Sequence, residues 1–227
     1  MSDHCLSKRL LAEFIGTAAL VATVVGSGIM ATNITQDVGL QLLGNTLPTG
    51  AILFVLISIF GPISGAHFNP AVTVVFALRR LLPFYNVVPY IALQIIGGIV
   101  GTIVAHLMFD MNTIEISSKI RSSNALFFSE FVATFGLIVT ILLGLRYAQN
   151  SIPSLVAFYI TAAYWFSSST SFANPAVTIA RSLTNSFSGI APSSVIGFMT
   201  AQIIGSIVAM FVAQWLSNEI TSVDSEG

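Results

Sequence analysis

Long apolar runs separated by short polar connections dominate the chain, and they predict six membrane-crossing helices. The first run would form a helix about 33 Å long, and a hydrocarbon core is about 30 Å thick. The polar segment 110–124 separates the third run from the fourth, and we expect the polar tail 219–227 to be disordered. The six predicted spans are 10–31, 40–60, 87–109, 125–145, 154–166 and 192–216.

Two shorter apolar segments, 70–78 and 175–183, do not fit this pattern. Each would extend only about 13 Å as a helix, roughly half the hydrocarbon thickness. Each also follows a less regular stretch, 61–68 or 167–173. Irregular backbone at membrane depth is tolerated only inside protein or against water. We therefore predict two half-helices that meet tip to tip and complete one broken span.

Both short segments begin with one repeated motif, Asn-Pro-Ala-Val-Thr, at Asn69 and at Asn174. Asn favours the N-cap of a helix, and Pro favours the position that follows it. Each copy of the motif therefore predicts a helix start inside apolar surroundings. The motif residues that we expect at the membrane centre are Asn69, Pro70, Ala71, Asn174, Pro175 and Ala176.

The two halves of the chain repeat other features in the same order. Each half has a Glu in its first span, at Glu13 or Glu130, and a Gln-Ile-Ile-Gly motif in its last, at 94–97 or 202–205. Three spans per repeat is an odd number, so the second repeat must be inverted, and inverted repeats share a site near the bilayer midplane. We predict one channel domain over 1–227, with inverted repeats 8–109 and 125–216.

Composition agrees with a membrane protein. The chain is 55% hydrophobic and 7% charged, with a mean hydropathy of +0.89, whereas soluble domains carry about 25% charged residues. The net charge of −1 gives no indication of nucleic-acid binding. With Cys5 as the single cysteine, and no nucleophile paired with a base, we predict no disulfide framework, metal, cofactor or enzymatic activity.

Basic residues predict the orientation. Under this topology five of them fall on one side of the membrane, two lie on the other, and Arg181 lies near that other side. Cytoplasmic loops carry the excess of Lys and Arg, so we predict both termini in the cytoplasm and a location in the plasma (inner) membrane. The five are Lys8, Arg9, Arg79, Arg80 and Arg146, and the two are Lys119 and Arg121.

The paired Asn-Pro-Ala motifs, the Ser-Gly-Ala-His-Phe-Asn-Pro-Ala-Val sequence at 64–72 and the repeated Glu and Gln positions closely resemble the major intrinsic proteins, the aquaporins and glycerol facilitators. The resemblance covers nearly the whole chain. It implies an all-α, aquaporin-like right-handed bundle of six transmembrane helices plus two half-helices, in an inverted repeat. It also implies one pore in each subunit of a homotetramer. Small residues at Gly97, Gly101 and Gly205 suit close helix packing in a bilayer.

Such a pore favours small uncharged solutes. Both half-helices would point their positive N-terminal dipoles at its centre, which opposes protons and other cations. An ion also loses hydration that the pore replaces incompletely. The resemblance implies backbone carbonyls along the pore at Gly65, Ala66, His67, Phe68, Thr170, Ser171 and Phe172.

Three titratable side chains in the predicted membrane region have two interpretations each. We expect Glu13 and Glu130 to accept hydrogen bonds from the loop backbone and to brace the loops, and proton relay is the alternative. We expect His67 to be structural, and a pH gate is the alternative, because an unperturbed His titrates near physiological pH.

The narrowest ring of the pore departs from the usual pattern. Most members of the resembled family have Arg directly after the second Asn-Pro-Ala, whereas this chain has Val177. The resemblance implies that Ala162 is another position of this ring, and a different loop length would move that position to Ala163 or Tyr164. A small uncharged ring predicts a wider, less water-selective pore. The ring implied by the resemblance is Thr49, Ala162, Ser171 and Val177.

Arg181 lies four residues beyond Val177, on the same helix face. Its guanidinium could reach back over the ring, or it could lie in the outer vestibule and bind water or a loop carbonyl. We favour the vestibule.

Val177 and the run 167–181 are similar to bacterial aquaglyceroporins associated with arsenic resistance. This resemblance implies passive conduction of small uncharged solutes, with arsenite and organoarsenicals preferred and glycerol and water as companions. The alternatives are a water-selective aquaporin, a gradient-coupled transporter or a purely structural, junction-forming role. Asn-capped half-helices argue against alternating access.

Overall fold

The structure of the protein is a computed structural model that describes residues 4–217. The polar tail 219–227, which we expected to be disordered, lies outside these residues. Within them the chain forms eight α-helices, with short 3-10 turns at Phe84–Asn86 and Gln149–Ser151. The helices are α1 Leu6–Ile34, α2 Val38–Ser64, α3 Pro70–Leu78, α4 Val87–Met108, α5 Asn124–Tyr147, α6 Ile152–Phe166, α7 Pro175–Arg181 and α8 Pro192–Ser217.

All six predicted spans are helical, and their ends lie within a few residues of the predicted ones. Five helices of the described chain are long and apolar enough to cross a membrane. The exception is α6, whose 15 residues extend only about 22 Å. It begins with a proline at its first turn, and its backbone leaves the helical conformation at Ser167. It packs against α2 and α5, so protein covers part of its surface.

The two half-helices begin where the motifs predicted. The side chain of Asn69 accepts a hydrogen bond from the backbone N–H of Ala71 at 2.9 Å, and Pro70 is the first helical residue of α3. Asn174 accepts the equivalent bond from Ala176 at 3.0 Å, with Pro175 first in α7. Both N-cap predictions are confirmed. The second half-helix ends at Arg181, before the predicted end at 183.

Helix pairing is the same in both halves of the chain. α1 packs along α4, and α5 packs along α8. A Cβ atom at Gly97 would lie 2.5 Å from the Phe14 carbonyl oxygen, and one at Gly205 would lie 2.5 Å from the Phe131 carbonyl oxygen. The two backbones therefore approach so closely that only glycine fits at either position, as in small-residue packing within bilayers.

Polarity is arranged as a bilayer requires. Large apolar side chains such as Phe158, Ile196 and Trp215 are about three-quarters exposed on the outer surface. Glu13 and Glu130 are fully buried inside the bundle. A lipid environment solvates the outer apolar surface, whereas the buried polar groups need partners within the protein.

We predict that Gly205→Ala lowers the stability of the bundle by about 1–3 kcal/mol, because overpacking forces the α5 backbone away from α8. Thermal unfolding in detergent measures the change. Gly61→Ala is the matched control, since a Cβ there meets nothing within 4 Å. Equal melting temperatures for Gly205→Ala and the unmodified chain would contradict the packing argument.

Candidate functional site

A cavity of about 630 Å³ runs along the interior of the bundle. Its lining comes from the loops that precede α3 and α7, from these two half-helices, and from α1, α2, α5 and α6. The helical walls supply apolar residues such as Leu20, Leu53 and Leu137, and residues of both loops, such as Ala66 and Ser171, lie along the same cavity. The cavity lining therefore combines apolar helical residues with residues of the two irregular loops.

The two Asn-Pro-Ala motifs are tied to each other at the middle of this cavity. The Asn69 side-chain amide donates a hydrogen bond to the carbonyl of Ala173 at 2.8 Å. The Asn174 amide donates the reciprocal bond to the carbonyl of Phe68, also at 2.8 Å. Each amide uses one N–H in this bond and retains a second. The tips of α3 and α7 therefore meet, as predicted, and each tip holds the loop of the other.

Glu13 braces the loop before α3. Its carboxylate accepts hydrogen bonds from the backbone N–H groups of His67 at 3.0 Å and Phe68 at 2.7 Å. The Ser64 hydroxyl at 2.7 Å and the Gln94 amide at 2.8 Å also donate to it. Four donors thus surround one buried carboxylate, which compensates for its lost hydration.

Glu130 holds the loop before α7 in the same way. It accepts bonds from the N–H groups of Phe172 and Ala173, both at 2.9 Å, and from the Gln202 amide at 2.6 Å. Ser169, which corresponds to Ser64, bonds Ser129 instead of the carboxylate. These are the contacts that the bracing interpretation of the two acids requires.

The loops have an unusual backbone, and it is the same in both. Three corresponding pairs of residues have positive φ angles between 46° and 92°. Only one of the six is a glycine, and each L residue in this conformation costs about 1–2 kcal/mol. The bonds to the acids and to the Asn side chains keep the loops in this shape. The pairs are Gly65 with Thr170, Ala66 with Ser171, and Phe68 with Ala173.

The expected carbonyl-bearing residues lie along the cavity, with one exception. Gly65, Ala66, His67 and Phe68 contribute to its lining from one loop, and Ser171 and Phe172 contribute from the other. Thr170 is not among the lining residues, so its pore carbonyl stays a prediction. Its N–H bonds the Ser167 carbonyl at 3.1 Å and closes the turn that follows α6.

His67 is enclosed rather than free. Its Nδ1 lies 3.1 Å from the Thr73 hydroxyl, and its ring packs 4.4 Å from that of Phe76, centroid to centroid. These contacts hold the imidazole against the half-helix, in line with the structural interpretation. The gating alternative for His67 stays a prediction without a contact to support it.

Of the four expected ring residues, three line the cavity: Thr49, Ser171 and Val177. Ala162 does not, and its assignment is wrong because it is exposed on the outer face of α6. Tyr164 takes that place, and its hydroxyl lies 3.4 Å from that of Thr49. Helical spacing explains the shift, since Tyr164 follows the lining residue Ile160 by four positions, whereas Ala162 follows it by two.

Arg181 combines both of its expected placements. Its Nε donates to the Ser188 carbonyl, as a vestibule arginine would. The side chain is nevertheless 2% exposed and lines the cavity, with its guanidinium carbon 3.4 Å from the Phe172 ring centroid. Its Nη1 is buried without a partner. Tyr164 and Arg181 thus give this end of the cavity a phenol and a guanidinium, in place of the small uncharged ring that we expected.

Sequence reasoning missed a second arginine at this end. Arg121 belongs to the α4–α5 connection, where we used it only to count charges. It is buried, and its side chain donates to the carbonyls of Gly189 at 3.0 Å and Ser169 at 3.2 Å. Burial lowers the pKa of Arg121, and the nearby Glu130 carboxylate opposes that shift. Its partners lie 68 and 48 residues away along the chain, so no local sequence signal could have revealed this placement.

A membrane-compatible helical bundle with two abutting half-helices around a partly polar cavity defines a channel. Residues 1–171 match the family described as Major intrinsic protein. The chain belongs to the major intrinsic protein family, whose members are channels and not enzymes. It is accordingly a multi-pass membrane channel for small solutes.

Individual relatives agree with this assignment. The chain is 52% identical to "Aquaglyceroporin AqpS" of Rhizobium meliloti (strain 1021) over 216 residues, which cover 95% of this chain and 93% of that protein. It is 39% identical to "Probable aquaporin NIP4-2" of Arabidopsis thaliana over 47% of this chain and 37% of that protein. The aquaglyceroporin structure from Plasmodium falciparum superposes with a TM-score of 0.72 at 20% identity, covering 94% of this chain and 98% of that one. The aquaporin fold is thereby confirmed.

We predict that Glu130→Gln destabilises the protein by about 1–3 kcal/mol, because an amide cannot accept all the bonds that Phe172, Ala173 and Gln202 donate. The melting temperature in detergent and the water permeability of proteoliposomes should both decrease. Glu115→Gln is the control, since the Glu115 carboxylate lies near the surface and accepts a hydrogen bond from the exposed Asn112 amide. A Glu130→Gln protein as stable as this control would contradict the bracing role.

We predict that Tyr164→Ala raises the permeability of a four-carbon polyol relative to glycerol, because removing the phenol widens the ring beside Thr49. Swelling of proteoliposomes in each solute measures the ratio. Ala162→Val is the control, since Ala162 faces away from the cavity and should leave the ratio unchanged. If Ala162→Val changed the ratio and Tyr164→Ala did not, the original ring assignment would be restored.

Proposed function

We propose that the protein is a passive channel for small uncharged solutes that carry hydroxyl groups, with arsenite and organoarsenicals as preferred solutes and glycerol and water as companions. One observation carries this proposal. The Ser171 hydroxyl and the Arg181 Nη1 are both buried without a partner, and both residues line the cavity beside Val177. Unpaired buried polar groups are costly, so both side chains would gain by turning toward a solute oxygen that passes the ring.

The apolar side of the ring selects for a solute with two faces. The side chains of Val177 and Phe172 offer no hydrogen bond, whereas Ser171, Tyr164 and Arg181 lie around the same space. A polyol presents carbon on one side and hydroxyl groups on the other. At neutral pH arsenite is an uncharged trihydroxy molecule of similar shape and hydrogen bonding, so the same ring suits it.

An ion fits this pathway poorly. The apolar helical wall cannot replace the water that a charged solute gives up, and the loops offer peptide groups on one side only. The second N–H of Asn69 and of Asn174 remains as a donor at the midpoint. Hydroxyl groups of a neutral solute can therefore exchange their hydration for protein contacts, one site after another.

The assembly and orientation belong to the same proposal. We infer a homotetramer in the plasma (inner) membrane, with both termini in the cytoplasm and Arg181 at the outer end of the pore. The inverted repeats 8–109 and 125–216 are supported by the corresponding bonds of Glu13 and Glu130. Each repeat supplies three full helices and one half-helix.

Two observations favour water selectivity as the second candidate. Tyr164 replaces the expected small residue in the ring, and Arg181 brings a guanidinium to it. Both would restrict larger solutes. A gradient-coupled transporter is less well supported, because alternating access would have to break the reciprocal bonds of Asn69 and Asn174.

Stopped-flow measurement on proteoliposomes separates the candidates. We expect water, glycerol and arsenite fluxes that all exceed those of empty vesicles and that do not depend on a proton gradient. Water flux alone would establish the second candidate, and dependence on the gradient would establish a transporter.

We predict that Val177→Arg lowers glycerol and arsenite flux by about tenfold or more, while water flux decreases less. A further guanidinium beside Arg181 would take up space in the ring, and larger solutes would then have to lose more of their hydration to pass it. Val177→Leu controls for added bulk without charge. Unchanged solute flux in Val177→Arg would show that this position does not set selectivity.

A further inference from the structure

Two arginines from distant parts of the chain contact one phenylalanine at the end of the cavity. The guanidinium carbon of Arg181 lies 3.4 Å from the centroid of the Phe172 ring, and that of Arg121 lies 5.2 Å from it. Both distances are within the range of cation–π attraction. Phe172 is 4% exposed, so these contacts are formed away from bulk water.

Backbone carbonyls hold the two guanidinium groups. Arg121 donates to Ser169 and Gly189, and Arg181 donates to Ser188. The Ser188 hydroxyl is itself anchored to the Val24 carbonyl of α1 at 2.9 Å. In the described part of the chain, no carboxylate accepts a hydrogen bond from either arginine. The nearest acid in the site, Glu130, already receives three donors.

The cluster around Phe172 has a counterpart in the first repeat. In the first repeat His67 contacts Phe76 at 4.4 Å and Tyr90 at 5.5 Å, centroid to centroid. The corresponding cluster in the second repeat is Phe172 with Arg181 and Phe198, the last at 5.2 Å. The same three-residue arrangement thus occurs twice.

Asn-Pro-Ala is followed by one residue and then, four positions later, by a residue that belongs to the cluster. Only in the second cluster is this residue a cation. Arg181 stands where the first repeat has Phe76. Arg121 then adds a second cation, from the α4–α5 connection, to the ring on which Arg181 lies. Two like charges near one ring repel each other, so they need fixed partners. The carbonyl bonds of Arg121 and Arg181 are those partners.

We propose that Arg121 is a positioning residue for Arg181: it fixes Phe172 and the loop carbonyls so that the Arg181 guanidinium stays at the pore wall, where it excludes cations although Val177 follows the second Asn-Pro-Ala. The inference rests on the channel function proposed above. The aromatic contact and the two-pronged bond to Ser169 and Gly189 need a planar guanidinium, which lysine cannot supply. Charge alone is therefore insufficient at position 121.

Proton flux into proteoliposomes, driven by a potassium diffusion potential and followed with a pH-sensitive dye, tests the proposal. We expect Arg181→Gln to raise proton flux by about tenfold, because one fixed positive charge leaves the pathway. Arg121→Lys keeps the charge but loses the planar contacts, and we expect at least about a threefold rise. The double variant should leak no more than Arg181→Gln, because Arg121 acts through Arg181.

Lys119→Gln is the matched control. Lys119 lies in the same connection, donates to the Phe187 carbonyl at 2.9 Å and contacts the Phe187 ring at 5.0 Å, but it is exposed and does not line the cavity. Its removal should not change proton flux. If Arg121→Lys folds poorly, Phe172→Leu decides instead, since it removes the shared ring and should raise proton flux in the same way.

Three results would overturn the proposal: proton flux unchanged in Arg181→Gln, unchanged in Arg121→Lys or its substitute Phe172→Leu, or raised additively in the double variant. Water and glycerol flux are measured in the same vesicles. If the unmodified protein conducts neither water nor glycerol, the proposed channel function is overturned. Differences in proton flux between the variants test only the positioning role of Arg121.

Discussion

The structure depends on how it satisfies the backbone of two irregular loops inside a hydrocarbon environment. An unpaired peptide group costs several kcal/mol there, and the loops before α3 and α7 cannot bond their own backbone as helices do. Glu13 and Glu130 supply the missing acceptors, two N–H groups each. The buried acids are in turn stable only because these donors, with Gln94 and Gln202, replace water.

The reciprocal Asn bonds turn two separate loops into one unit. Asn69 caps its own half-helix and holds the loop of the other, and Asn174 does the converse. Removing either amide would therefore disturb both halves. A pore built in this way keeps its midpoint in one geometry while solutes pass, which suits passive conduction and leaves selectivity to the residues at its ends.

The symmetry of the bracing bonds contrasts with the asymmetry of the ends. Both halves use the same Thr–Gln pair, in which Gln94 bonds Thr73 and Gln202 bonds Thr178, each at 2.9 Å. Beyond this shared frame, the first half packs His67 against Phe76, whereas the second packs Phe172 against Arg181. The shared bonds position both loops, and the residues that differ between the two halves can determine which solutes pass.

The sequence by itself determined the helices, the half-helix starts and the pairing of equivalent residues, because hydropathy, Asn-Pro caps and repeated motifs are local signals. It also placed Thr49, Ser171 and Val177 at the cavity through the resemblance of their motifs. Only the tertiary structure decided that Tyr164 rather than Ala162 faces the cavity, since the rotation of α6 is set by its packing against α2 and α5. It alone brought Arg121 to Phe172, because bonds that span 48 and 68 residues leave no periodic pattern in the sequence.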